Sequence, residues 1–165
     1  MKDTKTNAMR ILEGLRIAFD VHSYDTSDGA LDGVTAARKL GIDPARVFKT
    51  LVTQGKSRAH YVFVIPVACE LDLKAAAACV GEKSVEMIPQ KELLKTTGYV
   101  HGGCSPIGMK KQFPTAIDMS ALEQSRICVS AGRVGLQVDL DPRALIAATG
   151  AQTAHLAVAR TDSEV

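Results

Sequence analysis

The clearest pattern of hydrophobic and polar positions lies in the first half of the chain, where a short polar turn separates two apolar runs. Val47 to Thr53 and Tyr61 to Ile65 are rich in β-branched and aromatic residues, and the glycine-containing segment between them is typical of a hairpin. Both faces of the first run carry apolar side chains, so we expect this pair at the centre of a sheet. Lys49 interrupts the run, and at a buried position its ammonium group requires an ionic partner or a cleft.

Apolar residues at helical spacing, together with capping residues, predict helices around this hairpin. Thr6 or Asn7 begins the first helix, and Asp72 begins an alanine-rich helix that ends before Gly81. Further helices are predicted through Ala36 to Leu40, after Pro89 and from Pro142 to Thr149.

Alternating or short apolar runs predict the remaining strands. They lie at Phe19 to Tyr24, Ser84 to Met87, Thr115 to Met119, Ile127 to Ser130, Leu136 to Leu140 and His155 to Val158, and the tail from Thr161 to Val165 is expected to fray. Helices and strands alternate irregularly and include a hairpin. The sequence therefore predicts an α/β (α+β) fold, a compact mixed sheet with surrounding helices.

The composition indicates a globular protein. The chain has 165 residues, of which 46% are hydrophobic, and its net charge is +2. This length and this hydrophobic fraction are enough for one domain over residues 1–165 with a hydrophobic core. No apolar run approaches the ~20 residues of a membrane span, and no hydrophobic signal segment follows the N-terminus, so we expect no membrane contact and a cytoplasmic location. The small charge argues against a protein that grips long nucleic acid, although a few lysines could hold a single-stranded end.

Cysteine spacing and short motifs point away from metals and cofactors. Cys69, Cys79, Cys104 and Cys128 form no C-x-x-C pair, and the four histidines are scattered, so free thiols and no metal site are expected. The common dinucleotide, phosphate-loop and hydrolase motifs are absent from the sequence, so we expect no cofactor.

A glycine-rich loop from Thr97 to Lys111 is the best candidate for a functional site. Gly102 and Gly103 allow unusual backbone angles and close approach of a ligand to main-chain N–H groups, while Pro106 stiffens the turn. Such a loop can hold an oxyanion, a phosphate or a ribose hydroxyl.

At Val47 to Leu51 and Thr97 to Lys111 the chain closely resembles the YbaK/EbsC-type Cys-tRNA(Pro) deacylases, relatives of the editing insertion domain of bacterial prolyl-tRNA synthetase. The resemblance continues in the same order and spacing at His22-Ser-Tyr24, Lys39-Leu-Gly41, Leu71-Asp-Leu-Lys74, Val85-Glu-Met87 and Val129-Ser-Ala-Gly-Arg-Val-Gly-Leu136. It implies an enzyme without a metal that removes mischarged cysteine from Cys-tRNA(Pro), with Cys-tRNA(Cys) as a second substrate. It also implies binding of the 3′ end of aminoacyl-tRNA and a transient complex with prolyl-tRNA synthetase.

The same matching implies roles for individual residues. Lys49 matches the essential lysine of the family, and we expect it to anchor the 3′ end through its phosphate or carbonyl oxygen. The N–H groups around Gly102 and Gly103 are expected to bind the developing oxyanion or the terminal ribose. Five residues are expected to bind substrate: Tyr24, Thr50, Ser105, Ser130 and Gln137.

Three positions depart from the family pattern. Cys104 replaces a usual aliphatic residue, Gln137 stands where an aspartate can occur, and Leu31-Asp32 lies near a site associated with phenylalanine. These departures bear on the amino-acid preference. The thiol of Cys104 is interpreted as a replacement for a small apolar contact rather than as a nucleophile.

The chemistry implied by the resemblance needs no protein nucleophile. The thiol of the substrate's own cysteine attacks its ester carbonyl and releases a thiolactone, and such intramolecular reactions reach effective molarities of ~10⁵ M and above. Three alternatives remain open from the sequence: a deacylase for another mischarged tRNA such as Ala-tRNA(Pro), a non-catalytic module that binds aminoacyl-RNA or a synthetase, and a redox protein built on Cys104.

Overall fold

A computed structural model describes residues 5–160, in which short helices and short strands alternate. The α-helices in this range are α1 Asn7–Gly14, α2 Gly33–Leu40, α3 Leu73–Val80, α4 Leu93–Thr97 and α5 Pro142–Thr149. Caps set their limits. The Asp32 carboxylate accepts a hydrogen bond from the Thr35 N–H at the start of α2, and Gly41 ends that helix in the left-handed conformation, with φ at 69°. Asp72 and Gly81 limit α3 in the same way.

The strands are distributed over the whole described range. They are β1 Asp20–Ser23, β2 Phe48–Gly55, β3 His60–Pro66, β4 Cys69–Leu71, β5 Val85–Met87, β6 Thr115–Asp118, β7 Ile127–Ser130, β8 Leu136–Leu140, β9 Gln152–Ala154 and β10 Ala157–Ala159.

Five strands form one mixed sheet in the order β5-β2-β3-β6-β9. β2 and β3 are an antiparallel hairpin, whereas β6 runs parallel to both β3 and β9. A second, antiparallel sheet has the order β1-β8-β7, and β10 pairs with β4 alone. The mixed sheet and the hairpin near its centre confirm the fold class predicted from the sequence.

The central strand β3 is buried on both faces. Val62 and Val64 pack into the main cluster with residues of α1, α5 and the second sheet, including Leu12. Phe63 and Ile65 point the other way, toward the alanines of α3. The five-stranded sheet is therefore the middle layer of the protein, and β2, beside β3, is held firmly in place.

Two short strands replace the single strand predicted at His155 to Val158. β9 ends before this segment, Leu156 is fully buried, and β10 begins immediately afterwards. The Asp118 carboxylate of β6 accepts hydrogen bonds from the N–H groups of Leu156 and Ala157 at 2.8 and 2.9 Å. A side chain of the distant strand β6 thus takes hydrogen bonds that a continuous strand would give to its neighbour. The hydrophobic pattern of residues 155–158 does not reveal this contact.

Other boundaries differ by smaller amounts. Leu15, whose spacing from Leu12 would continue the apolar face of α1, follows the end of that helix and is 53% exposed. The helix predicted after Pro89 begins as a 3₁₀ turn, Gln90–Glu92, before α4. The sequence analysis missed β4 because three residues are too few to show a period. The tail predicted to fray lies outside the described residues.

We expect Asp118→Ala to lower the free energy of unfolding by about 2–4 kcal/mol, because it leaves two inward-facing N–H groups without acceptors. Urea denaturation measures this loss. Asp72→Ala is the control, since it removes only the cap of α3 and should cost about 1 kcal/mol. Equal losses in the two variants would contradict the anchoring role of Asp118.

The stability contributed by Asp118 should also depend on pH. Burial raises the pKa of this carboxyl, but hydrogen bonds from Ser120, Leu156 and Ala157 outweigh burial and hold the pKa below its ordinary value of 3.8. Because the pKa is lower in the folded state, the ionised carboxylate stabilises that state at pH values above the unfolded-state pKa. This stabilisation is lost as the pH falls through the folded-state pKa. The acid-dependent loss should therefore be smaller in Asp118→Ala than in the parent protein.

Candidate active site

A cavity of about 310 Å³ opens beside the first half of β2. β5 pairs with β2 only from Thr53 to Gly55, so β5 does not cover the earlier residues of β2. The glycine loop, the segment before α2, and the facing ends of β7 and β8 close the space around this edge. The volume lies near the lower end of the range for ligand pockets, about 300–1,000 Å³, and suits one small group rather than a length of RNA.

The main chain of β2 also faces this opening. The Val52 carbonyl accepts a hydrogen bond from the Ile88 N–H at 3.2 Å, on the side away from β3. In an antiparallel strand the N–H and C=O groups of every second residue point to the same side. The main-chain groups of Thr50 therefore point toward the open edge, beside the cavity that its side chain also lines.

Six of the eight site residues predicted from the sequence line this cavity: Tyr24, Lys49, Thr50, Gly102, Ser130 and Gln137. They come from β1's end, β2, the glycine loop, β7 and β8, and the fold brings them together. Leu31, Asp32 and Cys104, which depart from the family pattern, line the same cavity. The departures thus lie where they can affect the bound group.

Gly103 and Ser105 do not line the cavity but shape the loop beside it. The Gly103 N–H donates to the Val100 carbonyl at 3.0 Å, and a Cβ at this position would lie 2.8 Å from the Val134 nitrogen. Ser105 is fully buried, and its Oγ accepts a hydrogen bond from the Ile107 N–H at 3.2 Å. The structure therefore gives both residues a packing role.

Gly102 differs from its neighbour. Its N–H makes no hydrogen bond with another residue of the described range, and its backbone is left-handed, with φ at 86°. A Cβ there would lie 3.1 Å from the Leu31 side chain, so glycine is favoured for two reasons.

Lys49 is half-buried and forms no salt bridge within residues 5–160. Lys49 lines the cavity. Of the two possibilities that the sequence predicts for this ammonium group, an ionic partner or a cleft, the structure shows the cleft. Burial lowers the pKa of Lys49, and the positive charge of Arg160 lowers it further. A negative charge in the cavity would relieve both effects.

Two buried polar atoms in the cavity wall have no hydrogen-bond partner. They are Thr50 Oγ1 and Gln137 Oε1, and the Gln137 residue is only 6% exposed. Leaving such an atom unpaired costs about 1–3 kcal/mol, and most buried polar atoms are paired. Both residues line the cavity, although these two atoms are themselves buried beneath its surface.

Tyr24 and Ser130 are held by main-chain contacts. The Tyr24 N–H donates to the Gly135 carbonyl at 3.0 Å, and Ser130 Oγ accepts from the Gly132 N–H at 3.1 Å, which leaves its hydroxyl hydrogen available. His22 and Tyr24 at this end of the chain's first strand are partly buried, whereas Val21 between Asp20 and His22 is 47% exposed.

Cys104 lies in the cavity wall, but its thiol is poorly suited to nucleophilic attack. Burial raises the pKa of Cys104 to about 12, despite an opposing hydrogen bond with the Thr97 side chain. The thiolate is the reactive form of cysteine, and it is scarce at neutral pH when the pKa is so high. The structure thus argues against a catalytic or redox role for this residue.

One group of potential metal ligands, His22, Cys128 and Asp139, lies close together. The Asp139 carboxylate already contacts His22 Nε2 at 2.9 Å and the guanidinium groups of Arg46 and Arg126 at 3.3 and 3.1 Å. Two adjacent guanidinium groups disfavour a cation. This cluster is best explained as a network that ties β1, β7 and β8 together.

The sequence analysis missed one charged residue of the cavity, Arg160. It follows β10, a three-residue strand, and no local motif surrounds it. Only the pairing of β10 with β4 reveals that a residue so near the C-terminus reaches the site.

Fold and cavity together define a small α/β protein with a compact cavity beside a half-buried lysine. Residues 30–148 match the family described as the aminoacyl-tRNA editing domain, which is most of the chain. The protein belongs to this family. The resemblance and the class of substrate predicted from the sequence, aminoacyl-tRNA, are thereby confirmed.

Individual relatives agree with this assignment. A protein of Enterococcus faecalis, named as a candidate Cys-tRNA(Pro)/Cys-tRNA(Cys) deacylase, EbsC, is 47% identical over 152 residues, which cover 92% of this chain and 93% of that protein. Among solved structures, a candidate trans-editing enzyme for prolyl-tRNA synthetase is similar with a TM-score of 0.79 at 24% identity, covering 94% of this chain and 99% of that one. The hypothetical protein APE2540 gives 0.82 at 22% identity, covering 90% and 97%. At these identities the solved structures show the shared fold alone.

No helix within residues 5–160 has both the length and the apolar character needed to cross a membrane.

We expect iodoacetamide to label Cys69 and Cys79 of the folded protein well before Cys104 and Cys128 at pH 8. The first two thiols are partly exposed, whereas burial raises the pKa of each of the other two to about 12. Mass spectrometry of peptides gives the order, and labelling in urea is the control, where the four rates should converge. Earlier labelling of Cys104 would restore it as a candidate nucleophile.

Proposed function

We propose that this protein removes cysteine from mischarged Cys-tRNA(Pro), and from Cys-tRNA(Cys), by deacylating the 3′ end. The observation that carries the proposal is a half-buried lysine, Lys49, with no salt bridge within residues 5–160, in the same small cavity as Gly102, whose N–H makes no hydrogen bond with a described residue, in an editing-family protein. The activity named for the Enterococcus faecalis relative supports the choice of cysteine.

The reaction proceeds within the substrate. The cysteine Sγ attacks the carbonyl carbon of its own ester, the bond from that carbon to the ribose oxygen breaks, and the thiol proton passes to the ribose oxygen. The products are a cyclic thiolactone and free tRNA. Because the nucleophile is already attached, the protein must mainly hold sulfur and carbonyl in attack geometry.

The residues of the cavity divide this task. Lys49 and the Gly102 N–H stabilise the negative charge that develops on the carbonyl oxygen. Gly103, whose N–H is already bonded, supports this arrangement through its close packing rather than by binding the oxygen. The Thr50 hydroxyl and the Gln137 amide hydrogen-bond to polar groups of the aminoacyl-adenosine end.

The remaining predicted residues orient the substrate. Tyr24 and Ser130 donate hydroxyl hydrogen bonds into the cavity, and Ser105 acts indirectly by fixing the turn at Pro106. Selectivity comes from chemistry more than from shape, since a pocket that senses apolar bulk separates similar side chains by only about 1–3 kcal/mol. An alanyl or prolyl ester lacks the required thiol.

The substrate implies the setting of this activity. Mischarged tRNA(Pro) is released by prolyl-tRNA synthetase, so we propose a transient complex with that enzyme, in the cytoplasm where charging occurs. A net charge of +2 is small for unaided recognition of a whole tRNA, which favours help from such a partner.

Replacement of Lys49 tests the site. We expect Lys49→Ala to lower kcat/KM for Cys-tRNA(Pro) by about 10²–10³, the usual cost of removing one group that stabilises an oxyanion. Lys49→Met should show the same loss while retaining the packing of the stem. Lys56→Ala, an exposed lysine in the β2–β3 turn, is the control and should remain active.

The measurement for these variants is the release of labelled amino acid from tRNA, with circular dichroism and thermal unfolding to verify the fold. Stability should be maintained in Lys49→Met, because a half-buried ammonium group contributes little or nothing to folding. Unchanged turnover by a folded Lys49→Ala would refute the role of this lysine.

Modification of the substrate tests the chemistry. We expect Cys-tRNA(Pro) alkylated at sulfur, Ala-tRNA(Pro) and Pro-tRNA(Pro) to be stable in the presence of the protein, because none offers a free thiol for attack. Mass spectrometry should find the thiolactone as the first product from unmodified Cys-tRNA(Pro). Hydrolysis of Ala-tRNA(Pro) at a comparable rate would favour a deacylase with another preference, and binding without turnover would favour a non-catalytic module.

A further inference from the structure

We propose that Arg160, which lines the cavity together with Lys49, binds the phosphodiester that joins the terminal adenosine to the nucleotide before it. Both side chains line the cavity, although they come from strands far apart in sequence. The inference rests on the proposed function and extends it, since it assigns a phosphate subsite and a new binding residue to the same cavity.

The fold holds Arg160 at this place through its C-terminal segment. Leu156 is fully buried and, with Ala157, is anchored to the Asp118 carboxylate. β10 then pairs with β4 so that Ala159 lies opposite Cys69. Arg160, the next residue, therefore leaves a fixed strand rather than an unanchored chain.

The charges around the cavity favour an anion at this point. The charge of Arg160 acts directly on Lys49, and the nearby acidic groups that oppose this are the Cys69 thiol and Glu70. Cys69 is mostly protonated because burial raises its pKa. Glu70 is exposed, and among the groups that shift the pKa of Lys49 it has the smallest effect.

The acidic residue in the cavity wall, Asp32, keeps its negative charge but accepts a hydrogen bond from α2. The Asp32 carboxylate accepts the hydrogen bond from the Thr35 N–H that caps α2. Two cations therefore share one small cavity with a carboxylate whose bonding is directed to a helix. An anion placed between the cations relieves their repulsion.

The size of the cavity indicates which anion this is. A volume of about 310 Å³ has room for the aminoacyl ester and its ribose but not for the next nucleotide. With the ester held near Gly102 and Gln137, the 5′ phosphate of the terminal adenosine falls at the mouth. A guanidinium group suits this position, because its planar fork binds two phosphate oxygens at once.

Arg160 lies outside the part of the chain that matches the editing family, which ends at residue 148. The C-terminal strand that carries the phosphate contact is thus not covered by the family match. It would let the protein distinguish an ester on a nucleic-acid end from an ester on a free nucleoside without reading the sequence of the RNA.

Two small substrates test the proposal: the cysteinyl ester of adenosine, which has no phosphate, and the cysteinyl ester of cytidylyl-(3′→5′)-adenosine, which has one. We expect the parent protein to cyclise the second with a kcat/KM about tenfold higher than the first, as for one charge-assisted hydrogen bond. In Arg160→Ala the ratio of the two kcat/KM values should fall to about one. Arg160→Lys should retain part of the preference, since an ammonium binds phosphate as a point charge.

Arg143→Ala is the matched control, because Arg143 is exposed on α5 and does not line the cavity. It should show the full preference. With Cys-tRNA(Pro), the logarithm of kcat/KM should fall less steeply with the logarithm of salt concentration in Arg160→Ala than in the parent. The difference in slope should be about 0.7, the value for one neutralised phosphate on a single strand.

An equal preference in Arg160→Ala and the parent would overturn the assignment of Arg160 and leave the proposed function intact. A parent protein that forms no thiolactone from either ester or from Cys-tRNA(Pro) would overturn both. Thermal unfolding of each variant confirms that the comparison is made on folded protein.

Discussion

The cavity depends on incomplete pairing in the five-stranded sheet. β5 covers only the last three residues of β2 and β7 is bridged to the chain at Val47, so the stretch between them, with Lys49 and Thr50, lies at an opening. The other edge of β2 is fully paired with β3, whose two buried faces fix the strand between the layers of the protein. A rigid strand with one open edge places polar groups in position before a ligand arrives, which reduces the cost of ordering them on binding.

Polar atoms at this edge are stabilising only when something binds there. Thr50 Oγ1 and Gln137 Oε1 are buried without partners, and Lys49 is half-buried near another cation. Each of these features costs folding free energy in the empty protein. Proteins keep such costs at functional sites, where the same groups stabilise a bound molecule or a transition state. The surrounding core, with its buried central strand and anchored C-terminal segment, supplies the stability that offsets them.

The sequence predicted the fold well where local pattern and tertiary packing agree. The hairpin β2–β3, the capped helices α2 and α3, and the strands β7 and β8 lie where periodicity and capping residues placed them. Errors occur where a distant group intervenes. The Asp118 carboxylate anchors Leu156 and Ala157 within the last predicted strand, so that only its final residues belong to β10, and three-residue β4 exists because β10 pairs with it. In both cases the decisive contact joins residues far apart along the chain.

For the site, the sequence by itself determined the chemistry: a lysine in an apolar strand, a glycine loop, and hydroxyl and amide side chains in the order typical of the editing family. It determined this because residue type and local spacing set what each group can donate, accept or carry as charge. Only the tertiary structure decided which groups share a cavity. In the structure the Gly103 N–H is hydrogen-bonded, whereas the Gly102 N–H has no partner among the described residues. Ser105 is buried and bonded to the Ile107 N–H, and Arg160 lines the same cavity as Lys49. The physical reason is that cavity walls come from the packing of strands and loops, and chain spacing does not encode these distances.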